Sequence, residues 1–161
     1  MAVNAKTVQG RREVSYGTLD EFPADAEAMA AGETATLGNW SQGQIFWHLA
    51  AGLDASIDGT SMKTPWLMKV ILNLFMKNGM LTKPMKPGFK IPGSGQKQFG
   101  PDESLTTEDG LAILRKAVER QAAETSRASH MAFGDLTREE WDRFNLRHAE
   151  PHMSFIIPNQ G

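Results

Sequence analysis

Histidine is the residue type with the clearest potential for chemistry in this sequence, because the chain has four histidines and no cysteine. His148 and His152 are four residues apart, and His48 lies much earlier in the chain. Residues four apart on a helix have Cβ atoms roughly 5–6 Å apart, so both imidazoles can converge on one metal ion. A histidine from a facing helix would complete three nitrogen ligands and leave a position for water. The pattern predicts a divalent metal site; the alternative is three hydrogen-bonded core histidines.

The identity of the metal is not fixed by three histidines, because imidazole suits zinc, copper, nickel and iron alike. The lack of cysteine excludes thiolate metal sites, disulfides and cysteine nucleophiles. Imidazole binds a metal only when it is neutral. An ordinary histidine pKa therefore predicts that the metal is lost below roughly pH 6.

Two further residues are candidates for contact with a ligand or a substrate. Gln44 lies one turn before His48 on the same helix face, where its amide could hold a ligand or a water, although a role in capping the helix explains it equally. His130 lies in a loop, from which it could reach a substrate or simply pack within the loop. No residue stands out as a general base, and Asp54 and Asp58 could act only if the fold brings them close.

Helical periodicity accounts for most of the chain and strand-like alternation is nearly absent, so the predicted fold class is all-α. Ser41 and Thr137 each begin a capping box, in which a Ser or Thr and a Gln or Glu three residues later satisfy the free N–H groups of a helix start. The predicted helices cover about 19–31, 41–59, 65–77, 107–127 and 137–157.

Apolar spacing predicts which face of each helix is buried. The second helix has an apolar residue every four positions from Ile45 to Ile57, and His48 lies at the edge of this stripe. The predicted inner stripes of the last two helices are Leu111, Leu114, Val118, Ala122 and Thr125, and Trp141, Phe144, His148, His152 and Phe155. Pro151 interrupts the last stripe, and we expect a kink that keeps both histidines on one face.

The segment between the third and fourth helices differs from the rest of the chain. Residues 79–104 contain four prolines and are predicted to form a long irregular loop. All charged residues between Asp58 and Asp102 are lysines, which could attract an anionic cosubstrate or could simply keep the loop solvated. The most apolar stretch, Trp66–Met76, is shorter than the roughly 20 residues that span a bilayer, so it predicts a buried helix.

Length and charge limit the class of protein. A chain of 161 residues fits a single domain over residues 1–161, with residues 1–17 as a candidate flexible extension. The formal net charge of −2 is not that of a nucleic-acid-binding protein. The N-terminus has no apolar run of the kind found in secretory signals. We therefore expect a cytoplasmic protein without nucleic-acid or membrane partners.

The segments around the histidines resemble the DinB/YfiT-like metalloenzyme superfamily. Residues 37–50, Leu-Gly-Asn-Trp-Ser-Gln-Gly-Gln-Ile-Phe-Trp-His-Leu-Ala, are similar to its second helix. Residues 146–155, Leu-Arg-His-Ala-Glu-Pro-His-Met-Ser-Phe, are similar to its last helix, although Pro151 stands where the family often has another histidine. The Leu-Thr-x-Glu-Glu-Trp stretch at 136–141 resembles one uncharacterised bacterial branch.

The resemblance implies a four-helix bundle with an additional helix and a long irregular loop, frequent homodimers, and a zinc or nickel ion held by His48, His148 and His152. Members of the superfamily include transferases of low-molecular-weight thiols and a thiol-dependent isomerase. The resemblance thus implies a metal-dependent transferase or hydrolase that acts on a small molecule, with or without such a thiol. The alternatives are a protein in which the metal only links helices or is stored, and a helical module for ligand binding or dimerisation.

Overall fold

A computed structural model of the chain describes residues 2–88, 91 and 93–159. The fold is mostly helical, as predicted. Its elements, in chain order, are α1 (Glu21–Ala31), β1 (Thr34–Thr36), α2 (Gln42–Asp58), α3 (Trp66–Phe75), α4 (Lys77–Thr82), α5 (Gln96–Phe99), α6 (Thr107–Ala123), α7 (Arg138–Met153) and β2 (Ile156–Pro158). A 3₁₀ turn, Gly93–Gly95, leads directly into α5.

The four longest helices, α1, α2, α6 and α7, contribute to one hydrophobic core. Helix α2 packs most extensively against α6 and also contacts α7. Phe22, Phe46, Leu114 and Met153, one from each helix, are at most 2% exposed. Burial of such side chains from water is the main force that assembles the helices. The more specific four-helix-bundle topology stays a prediction.

The predicted inner face is right for α2 and only partly right for α6. Ile45, Leu49 and Leu53 are each 3% exposed. In α6 the buried stripe continues through Ala117 and Gln121, whereas the predicted Ala122 and Thr125 are exposed. The reason is a polar contact that apolar periodicity does not register: a serine hydroxyl of α2 donates a hydrogen bond to the side-chain oxygen of Gln121.

Two glycines allow α2 and α6 to approach at backbone contact. A Cβ atom at Gly43 would lie 2.1 Å from the carbonyl oxygen of Thr106, and one at Gly110 would lie 2.2 Å from the carbonyl oxygen of Gly43. These distances are far below van der Waals contact, so neither position has room for a side chain. The two glycines therefore fix the separation of the helices, and with it the position of His48 in α2.

The prediction that the last helix continues to about residue 157 is wrong. Helix α7 ends at Met153, and the chain then pairs antiparallel with β1, with Ile156 opposite Thr36. This two-stranded sheet joins segments distant in sequence, so helical periodicity could not predict it. Pro151 lies inside α7 and the helix continues past it through His152, as predicted.

The N-terminal residues 2–17 lie against the rest of the domain. The Arg12 guanidinium donates hydrogen bonds to the Ile156 carbonyl and to both carboxylate oxygens of Asp25. The Tyr16 hydroxyl donates to the same carboxylate, and the Tyr16 side chain is only 6% exposed. The segment thus connects α1 to the C-terminal strand.

The prediction that Trp66–Met76 forms a buried helix is wrong in its burial. Every residue of α3 is exposed or half-buried, and Trp66 and Phe75 are 75% and 80% exposed. The predicted irregular loop over residues 79–104 is also shorter than expected, since α4 reaches Thr82 and α5 lies within it. Among the described residues, no helix has the length and apolar composition needed to cross a membrane.

Candidate metal site

The three histidines are positioned by two helices whose starts are fixed by local hydrogen bonds. At the start of α2 the Gln44 amide N–H donates to the Ser41 hydroxyl, and the Ser41 N–H donates to the Gln44 side chain. Thr137 and Glu140 form the same reciprocal pair at the start of α7. Both predicted capping boxes are confirmed, and they fix where α2 and α7 begin.

The structure brings His48, His148 and His152 together. One ligand nitrogen from each residue lies within 4.8 Å of the others. Nε2 of His48 and Nε2 of His148 are 3.3 Å apart, and the ring centroids of His148 and His152 are 4.8 Å apart. The two rings on α7 therefore face the same point in spite of Pro151. The three histidines lie close enough to bind one metal ion.

The distance between the two Nε2 atoms is compatible with a metal site. Two nitrogens that are each about 2.0–2.1 Å from one tetrahedral ion lie about 3.3–3.4 Å apart. The observed 3.3 Å suits two ligands of one ion, and it is equally compatible with a long hydrogen bond between the two rings. The nitrogen donor set is one that zinc, nickel, copper and iron all accept.

The carbonyl group of Phe99 orients His48. Its oxygen lies 2.9 Å from Nδ1 of His48. A carbonyl oxygen can only accept a hydrogen bond, so Nδ1 carries the proton and the lone pair of Nε2 is directed toward His148. This arrangement is common for metal-binding histidines. Sequence reasoning missed Phe99, because a backbone carbonyl leaves no signal in residue type.

Aromatic rings and one glycine surround the imidazoles. The Trp40 ring stacks on His152 with centroids 5.7 Å apart and lies 4.8 Å from His48. Phe144 lies 6.3 Å from His148 on another side. At Gly52, a Cβ atom would lie 3.4 Å from Nδ1 of the same imidazole. The site is thus shielded from bulk water by aromatic rings, while His148 and His152 remain half-buried rather than fully enclosed.

Burial lowers the pKa of all three histidines below the ordinary value of 6.5. The pKa of His148 falls to about 3, chiefly through burial and secondarily through repulsion from His48. The pKa of His152 is lowered by burial and then by both other histidines. For His48 burial outweighs the hydrogen bond to the Phe99 carbonyl, which favours the charged form. All three imidazoles are therefore neutral at pH 7, the state that binds metal.

The metal-free protein should lose stability as the pH falls from 6.5 toward 3. Over this range the histidines of the unfolded chain take up protons, whereas folded His148, with a pKa of about 3, does not. The unfolded state then binds more protons, and the free energy of unfolding falls by up to about 2 kcal/mol per such histidine between pH 7 and pH 5. Urea unfolding of chelator-treated protein at the two pH values measures this loss.

His148→Phe is the matched variant for this titration. Because it lacks one of the titrating histidines, its free energy of unfolding should fall less between pH 7 and pH 5, by the contribution of that one histidine. An unfolding free energy equal at pH 7 and pH 5 in the parent would contradict the lowered pKa values. An ordinary histidine pKa predicts metal release at about pH 6. Because protons compete only weakly for these imidazoles, we expect the metal to be released at a lower pH, at which the protein also unfolds.

Gln44 and His130 lie outside the group of three histidines. The Gln44 side chain accepts the Ser41 N–H and donates to the Asp102 carbonyl, so it serves the start of α2. Nδ1 of His130 accepts hydrogen bonds from the N–H groups of Ala132 and Phe133, and the side chain is 7% exposed. These contacts account for both residues structurally, and their contact with a ligand or substrate stays a prediction.

His130 belongs to a second cluster of aromatic residues. Its ring stacks on Phe133 and contacts Trp141 and Phe144, and burial lowers its pKa to about 4. Phe144 also contacts His148, so one ring separates the cluster from the metal site. The two acidic residues considered as bases, Asp54 and Asp58, both form ion pairs with Arg120.

Comparison with known proteins places the chain in a family. No curated protein and no solved structure matches it. The family match does not itself link the chain to the DinB/YfiT superfamily, so that resemblance stays a prediction. A family model does match residues 8–159, which is nearly the whole chain and includes all three histidines. The chain therefore belongs to the family described as Protein of unknown function (DUF1569).

Proposed function

We propose that this protein is a metal-dependent enzyme in which His48, His148 and His152 hold one divalent ion, and that it catalyses a transfer or a hydrolysis on a small molecule. The observation that supports this best is the 3.3 Å separation of the two Nε2 atoms, which suits two ligands of one tetrahedral ion. A bound ion would supply Lewis-acid chemistry, which lowers the pKa of a water or a thiol.

The chain's own residues define the reaction that such a site would favour. The Phe99 carbonyl holds His48 in the required tautomer. Trp40 covers one side of the imidazoles, and the half-buried His148 and His152 leave access from solvent. In the described part of the chain, the group consists of histidines alone and no carboxylate joins it. Without an adjacent acid to serve as general base, nucleophile activation by the metal itself is the favoured mechanism.

The finer features of the proposal rest on the resemblance to the DinB/YfiT superfamily. They are zinc or nickel as the ion, a low-molecular-weight thiol as cosubstrate, a homodimer, and a bacterial, cytoplasmic setting. The lack of a carboxylate agrees with a thiol, since a thiol needs less help from a base than water does.

Cobalt substitution tests the thiol proposal directly. We expect that a small thiol such as cysteine or glutathione, added to the Co²⁺-loaded protein, produces an intense near-ultraviolet sulfur-to-cobalt band. We also expect the zinc- or nickel-loaded protein to consume the thiol in the presence of a small electrophile such as an epoxide. Both signals should vanish in His148→Ala and persist in His130→Ala. Stoichiometric metal without either signal would refute thiol-dependent transfer while leaving the metal site intact.

A non-catalytic metal site is the second candidate, and one observation favours it. His48 and His148 lie on different helices and 100 positions apart in sequence, so an ion between them would link α2 to α7. In that case the metal should raise the melting temperature strongly, and no substrate should be turned over. A melting temperature that is unaffected by chelator would refute this role.

A further inference from the structure

Helix α3 is oriented with its apolar residues outward. Only two of its residues, Lys69 and Asn73, are polar. Asn73 donates a hydrogen bond from its side chain to the Phe133 carbonyl, and Lys69 lies near enough to His130 to lower its pKa. Leu72, on the same face, packs against the cluster of Phe133, Leu136 and Trp141. The polar side of α3 therefore faces the protein.

The opposite side forms a continuous apolar surface, which we call the α3 surface. It consists of Trp66, Leu67, Met68, Val70, Ile71, Leu74, Phe75 and Met76, which are 44–80% exposed. Two aromatic side chains of about 150–250 Å² each, mostly exposed, already approach the size of the largest apolar patch on a typical monomer. In the described part of the chain nothing covers this surface, which favours an apolar partner outside it.

The charged residues of the sequence segment that contains α3 all have the same sign. Seven of the chain's 17 basic residues and none of its 19 acidic residues lie between Asp58 and Asp102. Lys77 is paired with Glu140 of α7, while the side chains of Lys63, Lys83, Lys86 and Lys97 are exposed. The chain as a whole has a formal net charge of −2, so positive charge is concentrated in the segment that contains the apolar helix.

We propose that the α3 surface docks on an anionic lipid membrane. Exposed Trp, Phe and Leu side chains beside lysines are the composition of helices that lie in the membrane interface, with the apolar face in the acyl region and the lysines at the headgroups. Each lysine close to an anionic bilayer strengthens binding about fivefold. This inference is independent of the metal site, and it opposes the expectation from composition that the protein has no membrane partner.

A second copy of the chain is the main alternative occupant, and the charges disfavour it. A symmetric dimer places the same patch on both sides of the interface. Two α3 surfaces would therefore bring together two sets of exposed lysines with no acid from residues 59–101 to pair with them. Like charges facing each other oppose association. An anionic bilayer meets the same lysines with opposite charge.

Vesicle flotation with the full-length chain tests the proposal. We expect binding to vesicles of phosphatidylcholine and phosphatidylglycerol at seven to three, much weaker binding to phosphatidylcholine alone, and release at high salt. The double variant Leu74→Gln with Phe75→Gln should bind at least tenfold more weakly. Lys63→Gln, at an exposed position that lines the same cleft as Lys69 of α3, should bind about fivefold more weakly. The matched control Lys116→Gln, at an exposed position of α6, should bind as the parent does.

Circular dichroism and melting temperature establish that each variant is folded, which is expected because the substituted side chains are exposed. Failure of the parent to bind the anionic vesicles would overturn the proposal, as would equal binding to both kinds of vesicle. A parent dimer that does not bind vesicles and that Leu74→Gln with Phe75→Gln converts to a monomer would assign the α3 surface to a second copy instead.

Discussion

His148→Ala, purified without added metal, should contain almost none of the divalent ion that the parent protein retains. Nε2 of His148 lies 3.3 Å from Nε2 of His48. The substitution therefore removes one of three nitrogen donors and leaves a cavity where the imidazole ring of His148 was. Loss of a residue that only supports a ligand already weakens metal binding about 10–100-fold. Loss of a ligand should therefore exceed a hundredfold. Elemental analysis of both proteins measures the effect.

His130→Ala is the matched control for this experiment. It removes the remaining histidine, which is as buried as His48 but lies in the neighbouring aromatic cluster. We expect this variant to lose some stability and to keep its metal. A parent protein that contains no metal even after soaking with zinc or nickel would show that the three histidines are core residues. Equal metal in the parent and in His148→Ala would show that the ion binds elsewhere.

Gly43→Ala should strongly destabilise the protein. The added Cβ would lie 2.1 Å from the carbonyl oxygen of Thr106 and 2.5 Å from its carbonyl carbon. Both are backbone atoms that no rotamer change can move, so α2 must shift away from α6. Overpacking in a core commonly costs 1–3 kcal/mol, and we expect more than about 3 kcal/mol here. For a domain of this size that corresponds to a fall of roughly 10 °C in melting temperature.

Gly79→Ala in α4 is the matched control, because a Cβ at Gly79 meets nothing within 4 Å. There the substitution should be neutral or stabilising by up to about 1 kcal/mol, since alanine is the better helix former. Because Gly43 lies just before the turn that carries His48, its replacement should also weaken metal binding. A melting temperature of Gly43→Ala within a degree or two of the parent would contradict the close approach of α2 and α6.

The sequence was sufficient to predict the helix starts and the grouping of the three histidines, because both depend largely on local patterns. A capping box is complete within four residues, and Ser41 and Thr137 begin α2 and α7 as predicted. The spacing of His148 and His152 places their rings on one helix face whatever surrounds the helix. To group His48 with the other two histidines, the prediction needed one further assumption, namely that α2 faces α7. The apolar stripe through Leu49 supported this assumption.

The outcomes that sequence reasoning missed all depend on a partner distant in the chain. The end of α7 at Met153 is determined by pairing of β2 with β1, and the backbone contact at Gly43 exists only because α6 crosses α2 there. The tautomer of His48 is set by the Phe99 carbonyl, which periodicity cannot locate.

Helix α3 shows the same limit most clearly. Its composition predicted burial, because exposed apolar surface is costly in water, and the exposure of its side chains shows that this prediction is wrong. What the sequence could not determine is which face meets the protein. Asn73 donates a hydrogen bond to the Phe133 carbonyl and Lys69 lies near His130, while Trp66 and Phe75 face outward. The sequence alone determined that this helix is strongly apolar, and only the tertiary structure decided that its apolar side faces away from the domain.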